Sequence, residues 1–416
     1  MSNIWQVSLS KQYFYLFICF MRRKISITPF IIITFLFFCM NWFVLSGISV
    51  ISTDPLVSPL FWGCMALVTG ALVFSIVRMR DNGMDLLFKI ATHTFLIVLV
   101  AELLFAAILL LGDVYRLFSG GPRSIYWVEF AAGVFILTIF AFLYGIIRGK
   151  YAYRVIRHTL YFDDLPASFD GFTITQISDV HSGSFNNPKA VQKGIDLIKQ
   201  QNSDLFVFTG DLVNNKAEEI KPWLGHFSQI RAPYGQFSIL GNHDYGDYVK
   251  WPDAMEKANN LQRLKAYHAE MGYHLLLDEH VTLHKGGQKI VLAGVENWGI
   301  GFGERGDLKK AMSGVDPRDF KVLLSHDPSH WEAEVVRFPA KIQLTLSGHT
   351  HGMQFGIEAF GIKWSPVKYR YAHWAGVTGG DGVFLNINRG FGFLGFSGRV
   401  GIWPEITVIK LKKTID

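Results

Sequence analysis

Apolar residues are distributed very unevenly along this chain. In roughly its first third they form long unbroken stretches; afterwards they come in short bursts separated by polar turns. Four stretches of 23 residues, Pro29–Ile51, Pro55–Val77, Ile90–Gly112 and Ile125–Ile147, are each long enough to cross a bilayer, which takes about 20 apolar residues. The first two carry no charge, the third carries His93 and Glu102, and the fourth carries Glu129 near its start. A signal peptide would show one run of about 7–15 residues and a cleavage site, so the pattern predicts a polytopic anchor over 1–150. The shorter run Tyr13–Phe20 is too short to span and reads as interfacial, and Met21 is an alternative start. A mixed, charged connector, 151–170, ends in Leu165-Pro166.

From Phe172 the period changes. Strands are predicted at Phe172–Ser178, Leu205–Thr209, Phe237–Leu240, Val281–His284, Lys289–Val295, Lys321–Ser325, Ile342–Ser347, Val383–Ile387 and Ile406–Leu411. Helices are predicted at Pro188–Gln201 and Ala254–Met271. Early βα units followed by strand-rich sequence predict a layered α/β domain over 171–416.

Composition sharpens this division. Half of the 416 residues are hydrophobic and only 18% are charged, against about 25% in an average globular chain. Disorder, a collagen repeat and a small disulfide scaffold are excluded. Residues 1–150 hold 11 Lys/Arg and 6 Asp/Glu, so most of the formal +6 lies in the apolar third. A basic apolar segment points to membrane lipids as partners, and nothing points to nucleic acid. The basic residues flank the spans at Arg22, Arg23 and Lys24, at Arg78, Arg80 and Lys89, and at Arg148, Lys150, Arg154 and Arg157. Arg116 and Arg123 lie on the opposite side. The excess predicts a cytoplasmic N-terminus and a cytoplasmic C-terminal domain. Cys19, Cys39 and Cys64 all lie in the apolar third, so a metal site in the second part must use His, Asp, Asn or Glu.

Such residues follow the predicted strands directly. The blocks are Asp179-Val180-His181, Gly210-Asp211, Gly241-Asn242-His243-Asp244, His326, and Gly348-His349-Thr350-His351. Buried strands that each end in a ligand deliver them to one sheet edge. In Asp-x-His and His-x-His, side chains two residues apart reach one cluster. Glycines before Asp211, Asn242 and His349 let the backbone turn where the strand ends. An all-oxygen and imidazole donor set suits Mn, Fe or Zn rather than Ca.

In order and type these blocks resemble the calcineurin-like metallophosphoesterase superfamily, over roughly Leu160 to Leu411. The tail from Asn388-Arg389-Gly390 to Pro404-Glu405-Ile406 is similar to a bacterial, membrane-linked branch, which implies a bacterial inner membrane, except that Met353 stands where many of that branch have glycine. The resemblance implies a four-layer α/β/β/α sandwich and two divalent metal ions. One would be held by Asp179, His181, Asp211 and His351, the other by Asp211, Asn242, His326 and His349, with Asp211 shared. His243 would contact a phosphoryl oxygen or protonate the leaving oxygen, and Asp244 would orient its imidazole or support its charge. The implied activity is hydrolysis of a phosphoester or pyrophosphate bond, with a lipid-linked or cell-envelope substrate as the leading expectation. The alternatives are a tethered phosphatase for soluble substrates and a phosphate-binding sensor without turnover. Arg389 and Arg399 are candidate phosphate contacts, and the aromatic segments Met353–Trp374 and Gly390–Trp403 are candidate walls of an apolar groove or a membrane-touching lip. The other histidines, including His226, His268, His274, His280, His284 and His330, lack ligand spacing and read as core or surface residues.

Overall fold

The computed structural model describes residues 28–82, 85–359 and 361–414. The readings at Tyr13–Phe20, Met21 and Arg22–Lys24 lie outside the described residues. The chain divides into two compact units between Phe140 and Ala141.

The first unit is helical. Its elements are α1 (Thr28–Ile51), α2 (Val57–Asn82), α3 (Leu86–Ser119) and most of α4 (Ile125–Ile147). All four are long and apolar enough to cross a membrane, and leucine, isoleucine and phenylalanine cover their outer faces. The helices meet where side chains are small or shape-matched. Val44, Phe105, Leu109, Val128 and Ala131 form the buried contact. A Cβ on Gly47 would lie 2.7 Å from Leu109, and one on Gly112 2.6 Å from Trp127. Buried polar residues occur on every helix, at Asn41, Ser75, Glu102 and Thr138.

The second unit begins inside α4. Ala141–Ile147 belongs to it because its last turns pack on the loop before the final strand. The Phe142 ring lies 5.5 Å from Phe355 and 5.7 Å from Phe396, and the Arg399 amide donates to the Gly145 carbonyl at 3.2 Å. The unit boundary thus falls ten residues before Lys150. The segment read as a connector contains a strand instead, β1 (Arg154–Phe162).

Further strands are β2 (Thr173–Ile177), β3 (Leu205–Phe208), β4 (Gln236–Ser238), β5 (His274–Leu275), β6 (Glu279–Lys285), β7 (Gln288–Gly294), β8 (Lys321–Leu324) and β9 (Leu344–Ser347). They continue as β10 (Ile357–Ala359), β11 (Ile362–Trp364), β12 (Gly376–Gly380), β13 (Val383–Ile387) and β14 (Glu405–Lys413). Two six-stranded sheets result, ordered β1-β14-β2-β3-β4-β5 and β12-β13-β9-β8-β7-β6. Strands β2 to β5 run parallel, as do β7, β8, β9 and β13.

Alternation along the strands builds the layers. Val207 faces the other sheet, while Phe206 and Phe208 face α5 (Pro188–Lys199) and α6 (Ala254–Glu270). Val322 and Leu324 likewise face inward, while Leu323 packs with Leu308, Ala311 and Val335 on the far side. Apolar residues on both faces of each sheet are what a parallel sheet covered on both sides requires. The result is the expected α/β/β/α order.

Candidate metal centre

Parallel neighbours end at the same edge, so the loops after β2, β3 and β4 meet those after β8 and β9. Two groups of ligand-capable atoms form there, each with its atoms within 4.8 Å of one another: Asp179, His181 and His351, and Asp211, His326 and His349. In the first, His181 Nε2 and His351 Nε2 lie 3.0 Å apart, and Asp179 Oδ1 lies 3.3 Å from His351 Nε2. In the second, His349 Nδ1 is 3.3 Å from His326 Nε2 and 2.9 Å from Asn242 Oδ1. Asp211 Oδ2 reaches both groups, at 3.5 Å from His181 Nε2 and 3.2 Å from His326 Nε2.

The outer hydrogen bonds show what these atoms face. His326 Nδ1 donates to the Thr209 carbonyl at 2.7 Å, which turns Nε2 toward Asp211. His349 Nε2 lies 3.3 Å from the buried Asp327 carboxylate, which leaves the Nδ1 lone pair facing inward. Asn242 Nδ2 donates to Tyr248 at 2.7 Å, turning its carbonyl oxygen inward. Once His326 gives up its Nε2 proton, two imidazole lone pairs, an amide oxygen and a carboxylate oxygen converge at about hydrogen-bond distance with no donor among them. A divalent cation satisfies that arrangement, and imidazoles tied to outer carbonyls and carboxylates are typical of metal ligands.

Burial works against charge on His326, but the adjacent Asp211 carboxylate outweighs it and raises the pKa to about 10. The neighbouring histidines hold Asp179 and Asp211 below the usual carboxylate range despite burial. Burial lowers His181 and His349, keeping those rings neutral.

The backbone here is unusual. Asp179, His181, Asp211, His349 and His351 all have left-handed φ, between 44° and 70°. Such conformations cost non-glycine residues about 1–3 kcal/mol each and cluster at functional sites. Met353, in the position where the resemblance has glycine, shares the left-handed conformation, with φ 49°. The glycine at 241 serves close approach rather than a turn. A Cβ there would fall 2.2 Å from Asp211 Oδ1.

His243 lines the same pocket, with its Nδ1 2.8 Å from the Asn214 carbonyl. Its Nε2 is thereby left as the group available to a ligand. Asp244 does not orient that ring. Its carboxylate accepts from the amides of Gly241, Asp211, Leu212 and Val213 at 2.8–3.2 Å, tying the β3 and β4 loops together.

The two arginines expected at phosphate are structural. Arg389 is paired with Glu405 and Glu358, and buried Arg399 donates to the carbonyls of Arg389, Gly390 and Gly392. Among the described residues, Arg370 is the Lys or Arg that lines the metal pocket. Its guanidinium rests on Phe302 and Tyr371. Neither Arg370 nor Asp327 was singled out from sequence, although Asp327 directly follows His326. Tyr371 donates to Asp327 at 3.1 Å, completing the support behind His349. His268 and His330 are buried and bonded to Ser238 and Ser325, in keeping with core roles.

Known proteins resolve the family. Residues 172–353 match the calcineurin-like phosphoesterase family model. Residues 21–150 match the model for a probable calcineurin-like phosphoesterase transmembrane domain. The uncharacterized metallophosphoesterase YkuE of Bacillus subtilis is 30% identical over 62% of this chain and 85% of its own length. The chain belongs to the calcineurin-like phosphoesterases. A transmembrane protein with metallophosphoesterase domain from Danio rerio is 24% identical over 84% of this chain and 79% of its own. The UDP-2,3-diacylglucosamine pyrophosphatase LpxG of Chlamydia muridarum is 30% identical over 46% of this chain and 67% of its own. This metallophosphoesterase is thus a membrane-associated hydrolase of phosphoester or anhydride bonds, with two clusters suited to divalent metals.

Proposed function

We propose that this metallophosphoesterase hydrolyses a phosphoester or pyrophosphate bond of a lipid-linked, cell-envelope substrate. The observation that carries the reading is the pocket above the two clusters. It encloses about 420 Å³. Its floor is His181, Asp211, Asn242, His349 and His351, and Phe302, Met353, Val367 and Leu394 line its walls. An acidic and imidazole floor under apolar walls fits a substrate that is polar at the reacting phosphorus and apolar beyond it. The likeness to LpxG supports the same substrate class.

Asp179, His181, Asp211 and His351 would hold one cation, and Asp211, Asn242, His326 and His349 the other. Bound there, the pair would supply Lewis-acid charge at the reacting phosphoryl group. The protein supplies the rest. Asp211 presents one oxygen to both clusters, while its other oxygen accepts from the His243 amide at 2.9 Å. Thr209 and Asp327 hold the rings of His326 and His349 in the required tautomers. His243 donates an Nδ1 hydrogen bond to the Asn214 carbonyl, which presents Nε2 to the leaving oxygen, and the doubly protonated ring delivers its Nε2 proton there and keeps the one on Nδ1. Arg370 is placed to contact a second phosphate or a headgroup anion.

The test compares hydrolysis of a lipid pyrophosphate with that of soluble nucleotides and aryl phosphodiesters. A preference for the lipid supports the reading. A preference for nucleotides would give the tethered soluble-substrate phosphatase instead, and no turnover of any ester with added manganese would leave the sensor. Asp211→Asn should lose at least one metal equivalent per chain. His243→Ala should keep the metals and lower kcat by about 10²–10⁴-fold, with smaller losses on esters that have good leaving groups.

A further inference from the structure

One surface element reverses the usual polarity of a folded protein. A hairpin on a protein surface ordinarily turns its apolar face inward and its polar face to water. In the β10–β11 hairpin, Ile357 pairs with Trp364 and Ala359 with Ile362, while Glu358 pairs with Lys363. Alternation along the strands places the first two pairs on one face and the charged pair on the other. The charged pair is the anchored one. Glu358 accepts from Arg389 at 2.5 Å and keeps only 19% of its side-chain surface exposed. The Lys363 ammonium donates to the Ala375 carbonyl and sits 5.1 Å above the Trp374 ring. The apolar face looks outward, with Ile357 50% and Ile362 56% exposed. Flanking the hairpin, Met353 and Tyr369 are 57% and 78% exposed, and both line the metal pocket.

We propose that this hairpin face seats in the lipid bilayer and forms the membrane-side lip of the catalytic pocket. Three observations select a bilayer as its occupant. Phe142, whose ring contacts Phe355 two residues before β10, belongs to α4, a helix of membrane-crossing length. A crossing of about 20 residues that starts at Ile125 ends close to Phe142, the residue that touches the base of the hairpin. The stretch 353–371 carries Lys363, Lys368 and Arg370 against Glu358 alone, and Glu358 is already paired with Arg389. Cationic and aromatic residues around an apolar tip match an anionic headgroup layer over acyl chains. Contact of this kind stands apart from the choice of substrate. It rests on the lipid-linked reading only in the second arm of its test.

The full-length protein, with Cys19, Cys39 and Cys64 replaced by alanine, would carry a single polarity-sensitive label. The label would be attached through Ile362→Cys or, as a control on an exposed helix elsewhere in the unit, Lys309→Cys. Each form would be placed in nanodiscs of phosphatidylethanolamine and phosphatidylglycerol containing spin-labelled lipid. A blue-shifted label at 362, quenched by the lipid, with little quenching at 309, is the expected result. Equal quenching at both positions would overturn the proposal. A blue shift without lipid quenching, together with a doubled particle mass, would also overturn it by assigning the face to a second copy of the chain.

In the second arm, the double variant Ile357→Glu/Ile362→Glu should lower hydrolysis of a bilayer-embedded phosphoester by about tenfold or more, through lost interfacial binding. A soluble aryl phosphodiester should be turned over as before. Quenching at 362 combined with equal rates for variant and parent on the embedded ester would keep the lip and remove the lipid-linked substrate.

Discussion

His349 shows how much of this site depends on residues outside the donor set. Its Nδ1 faces Asn242 and His326 because Asp327 takes the other side of the ring and Tyr371 holds Asp327. Asp327→Asn should therefore weaken metal binding and turnover by about 10–100-fold, the usual loss when a partner behind a ligand is removed. Metal titration of the variant measures it, and unchanged affinity would remove the role given to Asp327. His326 makes a pH prediction. Its pKa is raised to about 10, so in the metal-free protein this ring keeps its proton through neutral pH. A cation must displace that proton, so affinity should rise with pH by about tenfold per unit for one displaced proton. Titrating metal into weakly buffered protein should release acid. The same raised pKa stabilises the metal-free fold below the unfolded histidine value, and that contribution fades as pH climbs through about 10.

At the scale of elements, Arg389 ties the hairpin to the end of the sheet. It bridges Glu358 on β10 and the fully buried Glu405 at the start of β14. Arg389→Met would leave Glu405 charged and unpaired, at a cost of about 3–5 kcal/mol. The expected outcome is a lower Tm for the purified full-length protein, partly restored by adding Glu405→Gln. A raised KM with unchanged Tm would instead return Arg389 to the substrate. Strand β1 carries a related lesson. Its nine residues pair in register with β14, Arg154 to Glu405 through Phe162 to Lys413. The local sequence, mixed and charged, reads as a linker because it alternates only weakly. The strand exists because β14 offers it an edge.

For the whole molecule, the orientation drawn from the basic residues around α1 to α4 makes a direct prediction. A reporter fused after the C-terminal residue should behave as cytoplasmic. An exported reporter would reverse the topology. It would leave the family and the metal centre unaffected, because neither depends on which side the domain occupies.

The sequence alone determined the four membrane-length helices, the succession of short buried strands and the donor blocks. Each of these is written in local pattern: unbroken apolar length, bursts of β-branched residues, and polar residues placed where a buried strand must end. The tertiary structure decided which partners those residues meet. Asp244 could be seen beside His243, but only the folding of two loops onto its carboxylate makes it a staple for four amides. Arg389 and Arg399 could be seen near the tail motif, yet only their burial among carboxylates and carbonyls takes them away from phosphate. Asp327, Arg370 and the inverted hairpin carry no spacing signal, since their roles come from segments distant in sequence. Periodicity reports the face a residue presents, whereas contacts between distant segments are set when the sheets stack and close the edge where the loops converge.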